Sequence, residues 1–222
     1  MPVLNEAGRI VPAIRALAPL RARGHELICI DGGSGDGTLE LCEAHADIVI
    51  RSGKGRARQM NAGVASASGG VLLFLHADTS LPERADELVL DALRGGTPRW
   101  GCFDVRLSGK PTAFRIIESM MNLRSRITGV VTGDKAMFVS RDLFESVGGY
   151  PDLPLMEDIA ISRRLRAKAR PVHLRQRVTT SSRYWEQRGI ARSVLRMWEF
   201  RLRYYLGADP AALERAYYDK SP

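Results

Sequence analysis

The first half of the chain alternates short apolar runs with helix-forming stretches, and several apolar runs end on a carboxylate or amide. Glu26 to Asp31 (ELICID) is apolar up to its final acid and runs directly into Gly-Gly-Ser-Gly-Asp-Gly. Val71 to His76 (VLLFLH) leads into Ala77-Asp78, and Asp47 to Arg51 is a further short run. Between them, Thr38 to His45, Gly55 to Ser66 and Leu81 to Leu93 have helical character, with Ser34 or Asp36 as expected caps for the first and Pro82 in the first turn of the last. Strands that alternate with helices predict an α/β fold, a mainly parallel sheet covered on both faces. In such a sheet ligands collect beyond the carboxyl ends of the strands.

The second half reads differently. Phe103, Val105 and Leu107 alternate with polar residues, as in a half-exposed strand, and Thr112 to Arg126, Glu157 to Ala167 and Ile190 to Leu206 are expected helices. This predicts a mixed extension fused to the same sheet. One domain over residues 1–222 is expected, with halves at about 1–95 and 96–189 and a helical segment at 190–222. The Asn5-Glu6 loop has almost no strand before it, so a run of roughly five apolar residues is expected upstream of Met1.

Composition bounds the partners. The 222-residue chain is 45% hydrophobic and 26% charged, ordinary for a soluble globular protein. Cys29, Cys42 and Cys102 form no CxxC pair and read as buried thiols in a reducing cytosol. The longest aliphatic and aromatic run, Val71 to Leu75, is far too short to span a bilayer. The net charge is +8, yet Arg163 to Tyr205 alone holds thirteen Lys/Arg against Glu186 and Glu199. That segment is suited to anionic lipid, phosphorylated ligands or nucleic acid, or is simply a solvated face.

Three strand ends carry acids or amides: Asn5-Glu6, Asp31 and His76-Ala77-Asp78. Each alone suits a turn or a helix cap, but together on one sheet edge they suit a site. Asp78 is placed to hold Mg²⁺ or Mn²⁺ while substrate phosphates fill other positions, with His76 as a further candidate ligand. Gly53 to Gln59 offers glycines and the cations Lys54, Arg56 and Arg58 at a helix start, which suits a diphosphate. It is neither a Walker A loop nor GxGxxG. Glu157-Asp158 opens a helix after Gly148-Gly149-Tyr150-Pro151, placed either to complement the helix dipole or to act as a general base.

In this order the pieces resemble inverting glycosyltransferases of family 2. The matching stretches are Pro2-Val3-Leu4-Asn5-Glu6, Asp31-Gly32-Gly33-Ser34-x-Asp36-Gly37-Thr38, Asn61-Ala62-Gly63, Leu73 to Asp78, Gly133-Asp134, Gly148-Gly149-Tyr150 and Glu157-Asp158. Within the family they are most similar to small bacterial transferases named for association with radical-SAM and selenium-related genes. The resemblance implies a GT-A fold, a nucleoside diphosphate sugar donor and a divalent metal. Pro2, Asn5, Glu6 and Asp31 would line the nucleotide pocket, joined by Gly55, Arg56, Arg58, Asn61, His76, Ala77 and Asp78. Asp78 stands where the last acid of the family's DxD motif stands, and Asp158 where the catalytic base stands. Glu157 would orient the acceptor, and Gly133 and Asp134 would lie on its side of the site. The sequence departs from the pattern at His76, in place of the first Asp of DxD, and at Met60, where many relatives carry Arg. Ser182 to Trp185 matches the QxxRW motif of processive members only loosely, which argues against polymer synthesis.

Some relatives glycosylate lipid-like acceptors. The expected helix from Ile190 to Leu206 puts Ile190, Val194, Met197, Trp198, Leu202, Tyr205 and Leu206 on one stripe, with Arg192, Arg196 and Arg203 largely off it. Either the stripe packs on the body of the protein or it meets an anionic membrane. The expected location is cytoplasmic, peripheral on the inner face of the cell membrane in the second case; no nucleic acid partner is expected. Two rivals stay open: a nucleotidyltransferase, which would release pyrophosphate, and a non-enzymatic basic binder, whose binding would survive loss of Asp78.

Overall fold

The computed structural model describes residues 1–95 and 99–218. The boundary expected between 95 and 96 adjoins undescribed residues, and the last four positions of the 190–222 segment lie outside the described ones. Two sheets carry the fold. The first holds three parallel strands in the order β1-β2-β3, namely β1 (Pro2–Val3), β2 (Ile28–Asp31) and β3 (Ile48–Arg51). The crossovers between them are α1 (Ala7–Ala16) with the short α2 (Ala18–Ala22), and α3 (Thr38–His45). Helix α4 (Arg56–Ser66) follows β3. Pro2 pairs with Ile30 and Val3 with Asp31, so the Asn5-Glu6 loop and the glycine loop after Asp31 leave the same sheet edge.

The second sheet is mixed, in the order β4-β7-β6-β8-β5. Its strands are β4 (Val71–Leu73), β5 (Thr79–Ser80), β6 (Trp100–Leu107), β7 (Phe138–Ser140) and β8 (Val172–Thr180). The run VLLFLH is thus a strand only over its first three residues. It pairs antiparallel with β7, outside the three-stranded parallel sheet. Helix α5 (Ala85–Leu93) begins later than expected, after Arg84 in a left-handed conformation, so Pro82 lies in the preceding loop. Around the second sheet pack α6 (Thr112–Thr128), α7 (Arg141–Ser146), α8 (Glu157–Arg166), α9 (Arg183–Arg188), α10 (Ile190–Tyr205) and α11 (Pro210–Tyr218).

Strand β6 is not half-exposed: of its eight residues only Arg106 faces solvent. Its pairing with β8 shifts register between Phe103 and Asp104. Alternation along β6 places Trp100 and Cys102 in one apolar cluster, with Leu72, Phe74, Phe144 and Ile161, and Phe103, Val105 and Leu107 in the other, with Ile10, Phe114 and Phe138. The polar residue that breaks the apolar pattern, Asp104, is buried but held by Arg126 at 2.7 Å. All three cysteines are buried and free. Among the described residues no helix is long and apolar enough to cross a membrane.

Candidate active site

The donor-side loops hold each other. Asp31 is buried, and its carboxylate accepts from the backbone N–H of Gly33 at 2.8 Å and of Ser34 at 3.0 Å, and from the Ser34 hydroxyl. Asn5, with φ +54°, accepts from Gly35 N–H at 3.0 Å, while its own N–H donates to Ser34 Oγ at 2.9 Å. Asp36 bridges two helix starts, accepting from Ala7 N–H at 3.0 Å and Thr38 N–H at 3.1 Å. The expected caps of α3 act differently: its N-cap is the left-handed Gly37, and Ser34 is committed to Asp31 and Asn5. Beneath the loops Gln59, which the sequence reading passed over, donates to the carbonyls of Val3 at 2.9 Å and Ile30 at 2.8 Å.

Glu6 pairs with Arg9 at 2.8 Å. Burial raises its carboxyl above the ordinary range; Arg9 opposes that, and Asp78 and Asp36 push it further up. Glu6, Asp36 and Asp78 therefore share one electrostatic field. Asp78 is exposed just before β5, whereas Ala77 is buried behind it. Burial, then the Arg56 charge, lowers His76 to about 3, so its imidazole is neutral. The His76 ring packs on Gly133, where an added Cβ would come within 2.6 Å of Cε1 and Nε2. Among the described residues no three His, Cys, Asp or Glu side chains converge as a metal cage. One exposed carboxylate on a mutually repelling acidic edge still fits a cation that takes most of its oxygens from a ligand's phosphates and water.

On the opposite side α8 presents Glu157 and Asp158 directly after Met156, whose φ is +67°. Asp158 accepts from its neighbour Ile159 N–H at 2.8 Å and, more loosely, from Gly133 N–H at 3.4 Å. Burial, then Asp158, raises Glu157 to about 7 against the pull of Arg56. Burial raises Asp158 too, opposed first by Arg201. Glu157 is thus tuned towards proton exchange near neutrality. They line a cavity of about 170 Å³ with Arg56, Arg201, Met197 and Tyr217. A larger apolar cleft of about 410 Å³ lies between β2 and β4 and holds neither carboxylate.

The structure thus places His76 and Asp158 each against Gly133, and Arg56 in the field of both Glu157 and Asp158. Asp134 sits in the one-turn helix Gly133–Lys135, its Oδ1 buried without a partner. Gly55 is the N-cap of α4, with φ +135°. Two other expected residues have structural partners. Arg58 pairs with Asp152 at 2.8 Å. Asn61 clasps the backbone of Tyr150, donating to its carbonyl at 2.8 Å and accepting its N–H at 3.0 Å. This fixes the left-handed Gly148-Gly149 turn, where a Cβ on Gly149 would lie 2.8 Å from Asn61 Oδ1. The C-terminal side of the cavity was missed: Met197, Phe200 and Arg201 on α10 and Tyr217 and Tyr218 on α11. Only the basic bias of that segment hinted at it.

Residues 1–147 match the family described as glycosyl transferase family 2. An uncharacterized glycosyltransferase of Mycobacterium tuberculosis H37Rv is 33% identical over 156 residues, covering 66% of this chain and 59% of that protein. The chain therefore matches somewhat over half of that relative's length. Among solved structures, a mannosyltransferase from Pyrobaculum calidifontis in complex with GDP-Man and Mn²⁺ superposes with TM-score 0.60 at 18% identity, over 80% of this chain and 54% of that one. S. aureus TarS 1–349 in complex with UDP-GlcNAc does so with TM-score 0.65 at 18% identity, over 81% and 56%. M. tuberculosis glucosyl-3-phosphoglycerate synthase gives TM-score 0.59 at 20% identity, over 81% and 69%.

Proposed function

The chain belongs to glycosyltransferase family 2, and from that premise we propose that it moves a sugar from a nucleoside diphosphate sugar to an acceptor hydroxyl with inversion at the anomeric carbon. The observation that carries this reading is the Glu157-Asp158 pair at the start of α8, lining one cavity with Arg56, whose charge reaches both carboxylates. The donor would lie along the edge formed by Pro2, Asn5, Glu6 and Asp31, its diphosphate near Asp78, Lys54 and Arg56. A Mn²⁺ or Mg²⁺ ion held by Asp78 and the donor's phosphate oxygens, with neutral His76 beside it, would neutralise charge on the leaving diphosphate. Asp158 takes the proton of the acceptor hydroxyl as the new C–O bond forms and the bond from the anomeric carbon to the diphosphate oxygen breaks. Glu157, Gly133 and Asp134 would shape the acceptor side. Positioning both substrates contributes on the order of 7–11 kcal/mol and the base ~10²–10⁴-fold. The likeness to solved complexes with GDP-Man and Mn²⁺ and with UDP-GlcNAc supports the donor class.

The test is the leaving product. Incubation with a panel of nucleotide sugars, Mn²⁺ and candidate acceptors should release nucleoside diphosphate, strongly reduced in Asp158→Asn. Release of pyrophosphate instead would favour a nucleotidyltransferase.

A peripheral site of action at the inner face of an anionic membrane is the second part of the proposal. Ile116, Met120, Leu123 and Ile127 on α6, and Leu195, Trp198, Leu202 and Tyr205 on α10, are each more than half exposed. They recur at helical spacing, one stripe per helix. The helices also carry seven arginines against two glutamates. A second copy of the chain would bring like charges together across a symmetric contact, whereas anionic lipid complements both the apolar and the cationic character. The inner stripe expected on α10 splits: Ile190, Val194 and Met197 pack on the core, and Trp198 and Leu202 face out. Sedimentation with vesicles should show salt-sensitive binding to anionic lipid; equal indifference to neutral and anionic vesicles at low salt would refute it.

A further inference from the structure

The cations of α6 and α10 fall into two groups. Arg115 pairs with Glu118 at 2.9 Å, Arg126 with Asp104 at 2.7 Å and Arg203 with Glu199 at 3.5 Å, while Arg196 donates to the carbonyls of Ala216 and Tyr217. Arg192 is exposed at the start of α10. Arg124 and Arg201 are the exceptions that point inward. Arg201 lines the cavity beside Asp158. The Nη2 atom of Arg124 is buried with no hydrogen-bond partner, and its guanidinium lies within electrostatic reach of Arg201, Asp134 and Asp158. Among the described residues neither arginine makes an ion pair or a hydrogen bond, although both stand beside carboxylates. Burial, then the charge of Arg201, pushes the Arg124 guanidinium below its ordinary value.

Two neighbouring guanidiniums without acceptors, one with a buried bare nitrogen, are unfavourable unless a further anion joins them. Their planar N–H forks match the oxygens of a phosphate or a carboxylate, and two adjacent positive charges favour the phosphate, which carries close to two negative charges. We propose that Arg124 and Arg201 form an anion subsite on the acceptor side of Asp158, holding a phosphate-class group on the acceptor. The inference rests on Asp158 as the base that the acceptor hydroxyl must reach. It names the acceptor's chemistry: a hydroxyl compound whose phosphate is gripped by the two arginines while the hydroxyl faces Asp158. The phosphate source is either a soluble phosphorylated metabolite or a lipid headgroup presented beside the apolar stripes.

Titration calorimetry of the full chain with glycerol 3-phosphate against glycerol tests the soluble source. Sedimentation with phosphatidate against phosphatidylglycerol vesicles tests the lipid one. Wild-type protein should prefer the phosphate ligand in at least one arm. Arg124→Gln and Arg201→Gln should each weaken that preference at least tenfold, with partial recovery in Arg124→Lys. The thermal shift induced by donor and Mn²⁺ should be unchanged in all three. Preference in the first arm identifies a soluble acceptor, and in the second arm alone a lipid. No preference in either arm, or equal preference in wild type and both Gln variants, overturns the subsite. So does loss of the donor shift in Arg201→Gln, which would assign that arginine to the donor. If wild type shows no donor shift yet binds phosphate through the pair, the transfer reading fails and the subsite stands.

Discussion

Asp158 and Glu157 stand side by side on α8 yet should respond oppositely to neutralisation. Asp158→Asn preserves shape and removes basicity, so turnover should fall ~10²–10⁴-fold with donor affinity intact. Loss of donor affinity with an unimpaired chemical step would reverse that assignment. Glu157, with its carboxyl at about 7 against an ordinary 4.5, is more easily ionised in the unfolded chain than in the folded one. Its raised value stabilises the fold below pH 4.5, and that contribution is lost as pH rises through 7, amounting to ~3 kcal/mol against the charged form. Glu157→Gln should therefore raise the unfolding midpoint at pH 8 and make little difference at pH 4. Equal effects at both values would contradict the burial argument. These acids were legible in the sequence because an acidic pair after a glycine turn at a helix start is a local pattern. Arg124 and Arg201 were not, because only packing tells which of many arginines turn inward.

At the scale of elements, Gly133 joins the two halves of the site. Its N–H faces Asp158 and its bare Cα receives the His76 ring. Gly133→Ala should cost ~1–3 kcal/mol of stability and reduce turnover together, read by thermal unfolding and product release. Wild-type values for both would mean that the His76 ring yields freely. Helices α3 and α4 followed the expected spans closely because residue spacing and the glycines before them are local signals, although neither has a side-chain cap. Strands did less well. VLLFLH leaves the ladder after Leu73 because only Val71–Leu73 meets β7. Strand β6 looked half-exposed because Asp104 and Arg106 are charged, but Arg126 reaches Asp104 and lets it be buried. Strand β8, with His173, Arg175, Gln176 and Arg177 in it, carries too polar a pattern to stand out in the sequence and is defined by its pairing with β6.

Across the whole molecule, a three-stranded parallel sheet and a mixed sheet are joined, and α10 and α11 close a cavity over Glu157 and Asp158. The α/β class was readable from alternation, and the sheet edge shared by Asn5, Glu6 and Asp31 from the residues at the strand ends. The closure by Arg201, Tyr217 and Tyr218 was not, since these residues follow Asp158 by 43 to 60 positions and meet it beside Arg56, from the first third of the chain. The central claim is that this edge binds a nucleotide sugar through a metal at Asp78. Thermal unfolding of wild type and Asp78→Ala with a panel of nucleotide sugars, with and without Mn²⁺, tests it most directly. At 100 times its Kd a donor stabilises by about 2.7 kcal/mol. The account predicts a Mn²⁺-dependent rise in the wild-type midpoint with at least one donor, absent in Asp78→Ala; no shift with any donor, or the same shift in both proteins, would contradict it.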